Sequence, residues 1–382
     1  MTPGARVAAA IAVLDRIVAG EAAEKALVNW ARSSRFAGSA DRAAVRDHVF
    51  DALRRMRSAA ALGGAGTGRG LMLGVLRGQG VDPSTLFTGE GHAPAPVASD
   101  ERPRPMTDLE ALDCPDWLAP QMRESLGGNF AAVMQAMQAR APVFLRVNLR
   151  KATVPQAQTV LRAEGIETHP HPLATPALEV VAGARRIAGS AAYREGLVEL
   201  QDAASQAVVQ ALPLADGMRV LDYCAGGGGK SLAMAALARL DLSAHDVDPR
   251  RMVDLPARAA RAGVPVRTVQ TAALAAGHDL VLADAPCSGS GAWRRSPEAR
   301  WRLDAARLSA LVATQAAVLD AAAAQVAPGG WLAYATCSVL ECENGAAVAA
   351  FLARSPRFRM QRDMRLTPLD GGDGFYLALL RG

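Results

Sequence analysis

The sequence predicts an α/β protein: a doubly wound, mostly parallel sheet, preceded by a small α+β unit and an N-terminal helical domain. Three observations predict it. From Pro213 onward, short apolar runs alternate with helical stretches, as consecutive strand–helix units require. The first of these units, Met218–Ser231 (MRVLDYCAGGGGKS), passes from an apolar strand through four glycines directly into a helix-forming run. Towards the N-terminus the apolar spacing is instead that of helices.

Taken in order, residues 1–88 read as the helical domain. Val7, Ile11, Leu14 and Val18 fall on one helix face, and a second helix is expected from about Ser39 to Ala61, burying Val45, Val49, Ala52 and Met56. Its remaining positions carry Arg42, Arg46, Arg54, Arg55 and Arg57, which suit either RNA phosphates or a solvated face balanced by Asp41, Asp47 and Asp51. A short apolar helix over Leu71–Arg77 follows the glycine-rich Gly63–Gly70. Residues 89–106, rich in proline and without periodicity, read as a linker.

Residues 107–212 read as the small α+β unit. Helices are expected at Trp117–Leu126, Phe130–Met137 and Val154–Glu164, with strands at Pro142–Asn148, Leu178–Val181 and Val198–Leu200. Residues 213–382 carry the large sheet. After the glycine loop, strands are expected at Leu240–Val247, Val264–Val269, Leu280–Asp284, Trp331–Ala335 and Gly374–Leu380. Helices are expected at Pro249–Ala262, Asp304–Val326 and Asn344–Leu352.

The glycine loop is the first candidate site. Glycines let a backbone approach a ligand closely, and the helix that follows offers unpaired N–H groups to an anion. Cys224, Ala225, Gly226, Gly227, Gly228, Gly229 and Lys230 therefore read as cofactor-binding. Asp246, twenty positions beyond Gly226 at the end of the second strand, stands where such Rossmann-like sheets place the acid that holds ribose hydroxyls. Two cysteines fall just past the carboxyl ends of later strands: Cys287 in DAPCSGSG (Asp284–Gly291) and Cys337 in YATCS. A thiol raised there into a cleft is a strong nucleophile as thiolate, and Asp284 beside it can share a proton with a bound ring. Cys114 and Cys224 read as small buried side chains, and Cys342 as a surface helix position.

Composition narrows the classes. The chain has 382 residues, enough for two or three domains, and a net charge of +5 that permits nucleic acid as a partner. No uninterrupted apolar run approaches a membrane span, and Arg6 and Asp15 break up the early apolar stretch where a secretory signal would lie. The five cysteines have neither disulfide-scaffold nor zinc-ligand spacing, so a cytoplasmic, reducing location and no metal are expected. At 4% aromatic residues, a surface covered with base-stacking platforms is not expected.

These motifs together resemble the RNA cytosine-5 methyltransferase family. The resemblance rests on CAGGGGK (Cys224–Lys230), on DAPCSGSG, and on YATCSVL (Tyr334–Leu340) followed by an acid and Asn344. GLVELQDAASQ (Gly196–Gln206) and GGDGFYLALL (Gly371–Leu380) extend it. It covers about residues 107–382. Residues 1–62 more weakly resemble the NusB-like helical domain of the subgroup that acts on small-subunit ribosomal RNA.

The resemblance implies S-adenosyl-L-methionine as cofactor, its carboxylate near the glycine-loop amides and its ribose on Asp246. It implies RNA, small-subunit ribosomal RNA first, as substrate and partner, with a monomeric enzyme. It also implies Cys337 as the nucleophile on the base, Cys287 as the residue that assists release, and Asp284 near the ring edge and the cofactor. Trp293, Arg294, Arg295, Arg300, Trp301 and Arg302, just after Cys287, are expected to stack on bases and grip phosphates of RNA, with packing under the loop as the alternative for one or both tryptophans.

Three departures stand out, the first being an N-terminal domain shorter than is usual in the family, which bears on its RNA grip. The loop has Gly-Gly where many relatives have Ala-Pro. Gln270-Thr271-Ala272 lacks the acid expected on the adenine side. Three other readings stay open. The same chemistry could act on transfer RNA, a silent RNA-binding assembly factor could keep the fold alone, and a nicotinamide-dependent dehydrogenase would also suit Asp246. GGGGK is not the G-x-G-x-x-G of the last, which would also leave the paired cysteines without a role.

Overall fold

The computed structural model describes all 382 residues, Met1–Gly382. The chain forms two compact units. The first comprises Met1–Arg123, Gly127–Arg140 and Trp293–Arg302; the second comprises Glu124–Leu126, Ala141–Ala292 and Leu303–Gly382.

The first unit is helical. Its main helices are Pro3–Val18, Ala23–Ser33, Ser39–Arg54, Met56–Gly63 and Gly68–Gly78. Thr2 caps the first through its hydroxyl, with proline at the helix start, where a missing N–H costs nothing. Val7, Leu14, Val45, Val49, Leu53, Leu71 and Leu73 meet in one buried core. The helices Met56–Gly63 and Gly68–Gly78 approach so closely that a Cβ on Gly74 would lie 1.8 Å from the Ala59 carbonyl oxygen. The single helix expected from Ser39 to Ala61 is in fact two, because Arg55 leaves helical geometry at φ −122°, ψ 33°. Helix Ala23–Ser33 was not anticipated. Residues 89–106 form no regular element, yet Arg69 pins them through Glu101 and the carbonyls of Ala95 and Pro96.

The second unit holds two sheets. In the smaller, β1 (Val143–Val147), β2 (Glu167–Pro170), β3 (Ala177–Ala182) and β4 (Val198–Leu200) lie in the order β2-β3-β1-β4, every pairing antiparallel. Helix Val154–Ala163, capped by a reciprocal Thr153–Gln156 box, packs Ala157 and Leu161 against it. The larger sheet contains β5 (Arg219–Asp222), β6 (Asp241–Ala244), β7 (Arg267–Thr268), β8 (His278–Asp284), β9 (Val326–Thr336), β10 (Arg359–Leu366) and β11 (Phe375–Arg381). Its order is β10-β11-β9-β8-β5-β6-β7. The strands β5 to β9 are mutually parallel, and β11 runs antiparallel beside β9.

Both faces of the large sheet are covered. Leu280 and Leu282 join a core with Leu232 and Leu255, while Val281 and Ala283 face Leu319 and Phe351. That is why its strands read as continuous apolar runs rather than alternating ones. Strand order reverses between β5 and β8, so the crevice for a ligand opens there, at the carboxyl ends of the strands. The smaller sheet abuts this region: Arg146 donates to the Gly229 carbonyl (2.9 Å) and Asn148 to the Ala262 carbonyl (2.8 Å). In this unit β2, β10 and the helix Ala203–Gln210 are among the elements that escaped the sequence. β10 is an edge strand with almost no buried position, which leaves no apolar alternation to detect.

Candidate active site

The strand β5 ends at Asp222, and the chain turns through Tyr223–Gly228 into helix Gly229–Leu237. Gly228 caps that helix at φ +77°, and a Cβ there would lie 2.1 Å from Leu255 Cδ1, so only glycine fits. Beside this turn is a cleft of about 170 Å³ lined by Gln201, Ser205, Asp222, Cys224, Ala225, Gly229, Lys230 and Asp284. Five of these residues are among those expected from the sequence. Gln201, Ser205 and Asp222 are additions: the first two lie in the GLVELQDAASQ stretch, and Asp222 is the last residue of its strand.

The cleft is electrostatically asymmetric. Lys230 Nζ lies 2.6 Å from Asp284 Oδ2 and 4.8 Å from the centre of the Phe375 ring. Burial alone would lower the Lys230 pKa, but the charge and hydrogen bond of Asp284 outweigh it and raise it. Asp222 is 1% exposed; one oxygen accepts from Ser231 Oγ at 2.6 Å, and the other, Oδ1, has no partner. Burial pushes its carboxyl up to about 7.

Asp246 lies behind the loop. Its carboxylate accepts from the Gly226 and Asp248 amides, both at 3.0 Å, and pairs with Arg251 at 3.1 Å. The stretch expected to carry an acid on the adenine side, Gln270-Thr271-Ala272, has none; beside Ala272, the Thr271 hydroxyl is 2.9 Å from His245 Nε2. The His245 ring in turn bonds the Tyr223 carbonyl through Nδ1 and packs on the Tyr223 ring.

The two cysteines meet. In the β8–β9 ladder Asp284 stands opposite Ala335, so Cys287 and Cys337 leave adjacent parallel strands side by side. Their sulfurs are 3.4 Å apart although fifty positions separate them in sequence. The hydrogen bond with Cys337, followed by burial, holds the Cys287 thiol well above its ordinary value. Of the other cysteines, Cys224 lines the cleft. Cys114 is fully buried and raised to about 11 by burial, and Cys224 is raised to about 12 for the same reason. Cys342 sits in a half-buried 3-10 turn, Glu341–Glu343, rather than on a helix surface.

The segment after Cys287 is not an array of exposed stacking groups. Trp293 and Arg300 are fully buried, with the guanidinium 5.2 Å from the Trp293 ring and 5.5 Å from that of Trp301. Arg300 donates to the Asp113 carbonyl, Trp301 Nε1 to the Leu53 carbonyl, and Arg54 to the Arg294 carbonyl. Arg302 pairs with Glu298. Trp293 therefore packs, and Arg300, expected to grip phosphate, is instead held inside the helical unit, while Arg295 and Arg302 stay exposed. No group of three or more metal-ligating side chains occurs, and no helix is long and apolar enough to cross a membrane.

Comparison with known proteins agrees with this geometry. Residues 209–381 match the family described as 16S rRNA methyltransferase RsmB/F, and residues 114–185 match the ferredoxin-like domain of the RsmF/B-like methyltransferases. The chain is similar to the ribosomal RNA small subunit methyltransferase B of Vibrio cholerae, with 34% identity over 70% of this chain and 64% of the relative. Its counterpart in Klebsiella pneumoniae is 31% identical over 70% and 65%. The chain thus spans just under two thirds of the length of these curated relatives. Among solved structures, PH0851 superimposes with a TM-score of 0.78 at 22% identity, covering 100% of this chain and 99% of that one. NSun6 from Pyrococcus horikoshii, solved with SFG, has a TM-score of 0.62 at 18% identity over 72% and 99%.

Proposed function

Because the chain belongs to the RsmB/F methyltransferase family, we propose that it transfers a methyl group from S-adenosyl-L-methionine to carbon 5 of a cytosine in small-subunit ribosomal RNA. One observation carries the reading: two thiols 3.4 Å apart, at the carboxyl ends of adjacent strands, beside a glycine-loop cleft.

The cleft fits the cofactor. Asp222 Oδ1, buried and without a partner, is an acceptor open to an ammonium group. The start of helix Gly229–Leu237 and the Lys230 ammonium suit a carboxylate. Asp246 would receive the ribose hydroxyls once Arg251, whose side chain is 55% exposed, swings aside. When bound, the cofactor supplies an electrophilic methyl group on a sulfonium.

The chain's own residues must make the base reactive. Carbon 5 of cytosine is a poor nucleophile, so Cys337 as thiolate adds to carbon 6, and the displaced electron pair makes carbon 5 nucleophilic. Asp284 is the hydrogen-bond partner for the ring edge near N3. After methylation Cys287 assists transfer of the carbon 5 proton to a base, the electron pair left on carbon 5 re-forms the 5,6 double bond, and the sulfur–carbon bond breaks to release Cys337 as thiolate. The target base must leave its stack to reach the cleft.

The test is bisulfite sequencing of total RNA from cells with and without this gene. Loss of one protected cytosine in small-subunit ribosomal RNA is the expected result. A lost site in transfer RNA instead moves the substrate, and no change anywhere refutes the methyltransferase reading.

A further inference from the structure

Each cysteine is followed at once by a serine, Ser288 and Ser338, and both serines turn away from the cleft onto one buried carboxylate, Glu343. Glu343 is fully buried. It receives four hydrogen bonds. Oε1 accepts from the Ser288 amide (2.8 Å) and Gln315 Nε2 (3.0 Å); Oε2 accepts from the hydroxyls of Ser288 and Ser338 (both 2.5 Å). A carboxylate offers about four acceptor sites and no donor, so the set is complete. Around it, Ser290 Oγ bonds Ser338 Oγ at 2.9 Å, and the Glu343 carbonyl accepts from the Tyr334 hydroxyl at 2.7 Å.

We propose that Glu343 is a positioning residue that ties the Cys287 loop to the Cys337 loop and so sets the distance between the two thiols. The proposal rests on the cysteine chemistry of the preceding section. Burying a carboxyl group is costly and is tolerated only when its hydrogen bonds are satisfied. Here the donors come from both cysteine loops, joined through one side chain. A glutamine would turn one acceptor oxygen into a donor facing two donors, and the two loops would lose their shared anchor.

The test is Glu343→Gln in the full chain, read by two assays. The first does not depend on methyl transfer: hydrogen peroxide oxidises the two thiols to a disulfide and is itself reduced to water. The rate of disulfide formation, followed by mass spectrometry after quenching, reports how the loops hold the sulfurs together. We expect it to fall at least tenfold in the variant. The second is steady-state methylation, where kcat should fall at least tenfold while KM and the affinity for S-adenosylmethionine stay within threefold.

Glu343→Asp, which keeps four acceptor sites on a shorter stem, should recover part of both rates, a rescue that loss of packing alone would not give. Should Glu343→Gln fail to fold, Ser338→Ala removes one tie from one loop and should slow disulfide formation by a smaller factor. Unchanged disulfide rates in whichever of these variants fold would overturn the proposal. A slowed disulfide in a protein whose unmodified form methylates no RNA would uphold the clamp and refute the methyltransferase reading alone.

Discussion

Replacing Asp222 by asparagine should make the protein more stable at neutral pH and leave it unchanged in acid. The side chain lies at the end of β5, 1% exposed, with Ser231 as the partner of one oxygen and none for the other. Burial raises its carboxyl from the ordinary 3.8 to about 7. An acid raised on folding binds its proton more tightly in the native state. Its contribution to stability is therefore fully present below 3.8 and is lost as pH rises through about 7. Three pH units at ~1.4 kcal/mol each make the loss about 4 kcal/mol.

Asparagine keeps the acceptor for Ser231 and cannot ionise. The difference in unfolding free energy between Asp222→Asn and the natural chain should thus grow from near zero at pH 4 to about 4 kcal/mol at pH 8. Urea titrations at half-unit pH steps measure it, because the other titrating groups cancel in the difference. A difference that stays flat across this range would refute the argument. The same variant should bind S-adenosylmethionine about tenfold more weakly, since a hydrogen bond to a charged group contributes ~1.5–3 kcal/mol.

Cys337→Ala should abolish methylation, whereas Cys287→Ala should accumulate protein covalently attached to RNA, visible as a slow band on denaturing gels; an equally active Cys337→Ala enzyme would sink the mechanism. Gly228→Ala should cost about 2–5 kcal/mol in a urea titration, from the left-handed backbone and the overlap with Leu255. Gly227→Ala, which meets only the mobile end of Arg258, should cost less than about 1 kcal/mol, so equal effects would contradict this account.

What the sequence determined by itself is whatever depends on neighbours in the chain. The strand–glycine–helix turn at Met218–Ser231 and the strand ends carrying Cys287 and Cys337 are local patterns: a buried run of apolar residues, a forced left-handed glycine, a helix start. They were legible because each is punctuated by residues with few backbone alternatives. Tertiary structure alone decided what came together across the chain. Only the parallel pairing of β8 with β9 brings two sulfurs fifty positions apart to 3.4 Å.

The same dependence on distant partners hid other features. Asp222 looked like the end of a strand and proved to be a buried acceptor, because its desolvation comes from the elements packed around it. Arg300 and Trp301 looked like RNA contacts, with packing open only for the tryptophan, and it was the carbonyls of Asp113 and Leu53, far away in sequence, that took their hydrogen bonds. Glu343 was one acid after a cysteine motif until folding placed Ser288, Ser338 and Gln315 around it. A residue's type states which bonds it can make, but which of them form depends on the groups that burial sets beside it, and those come from the fold.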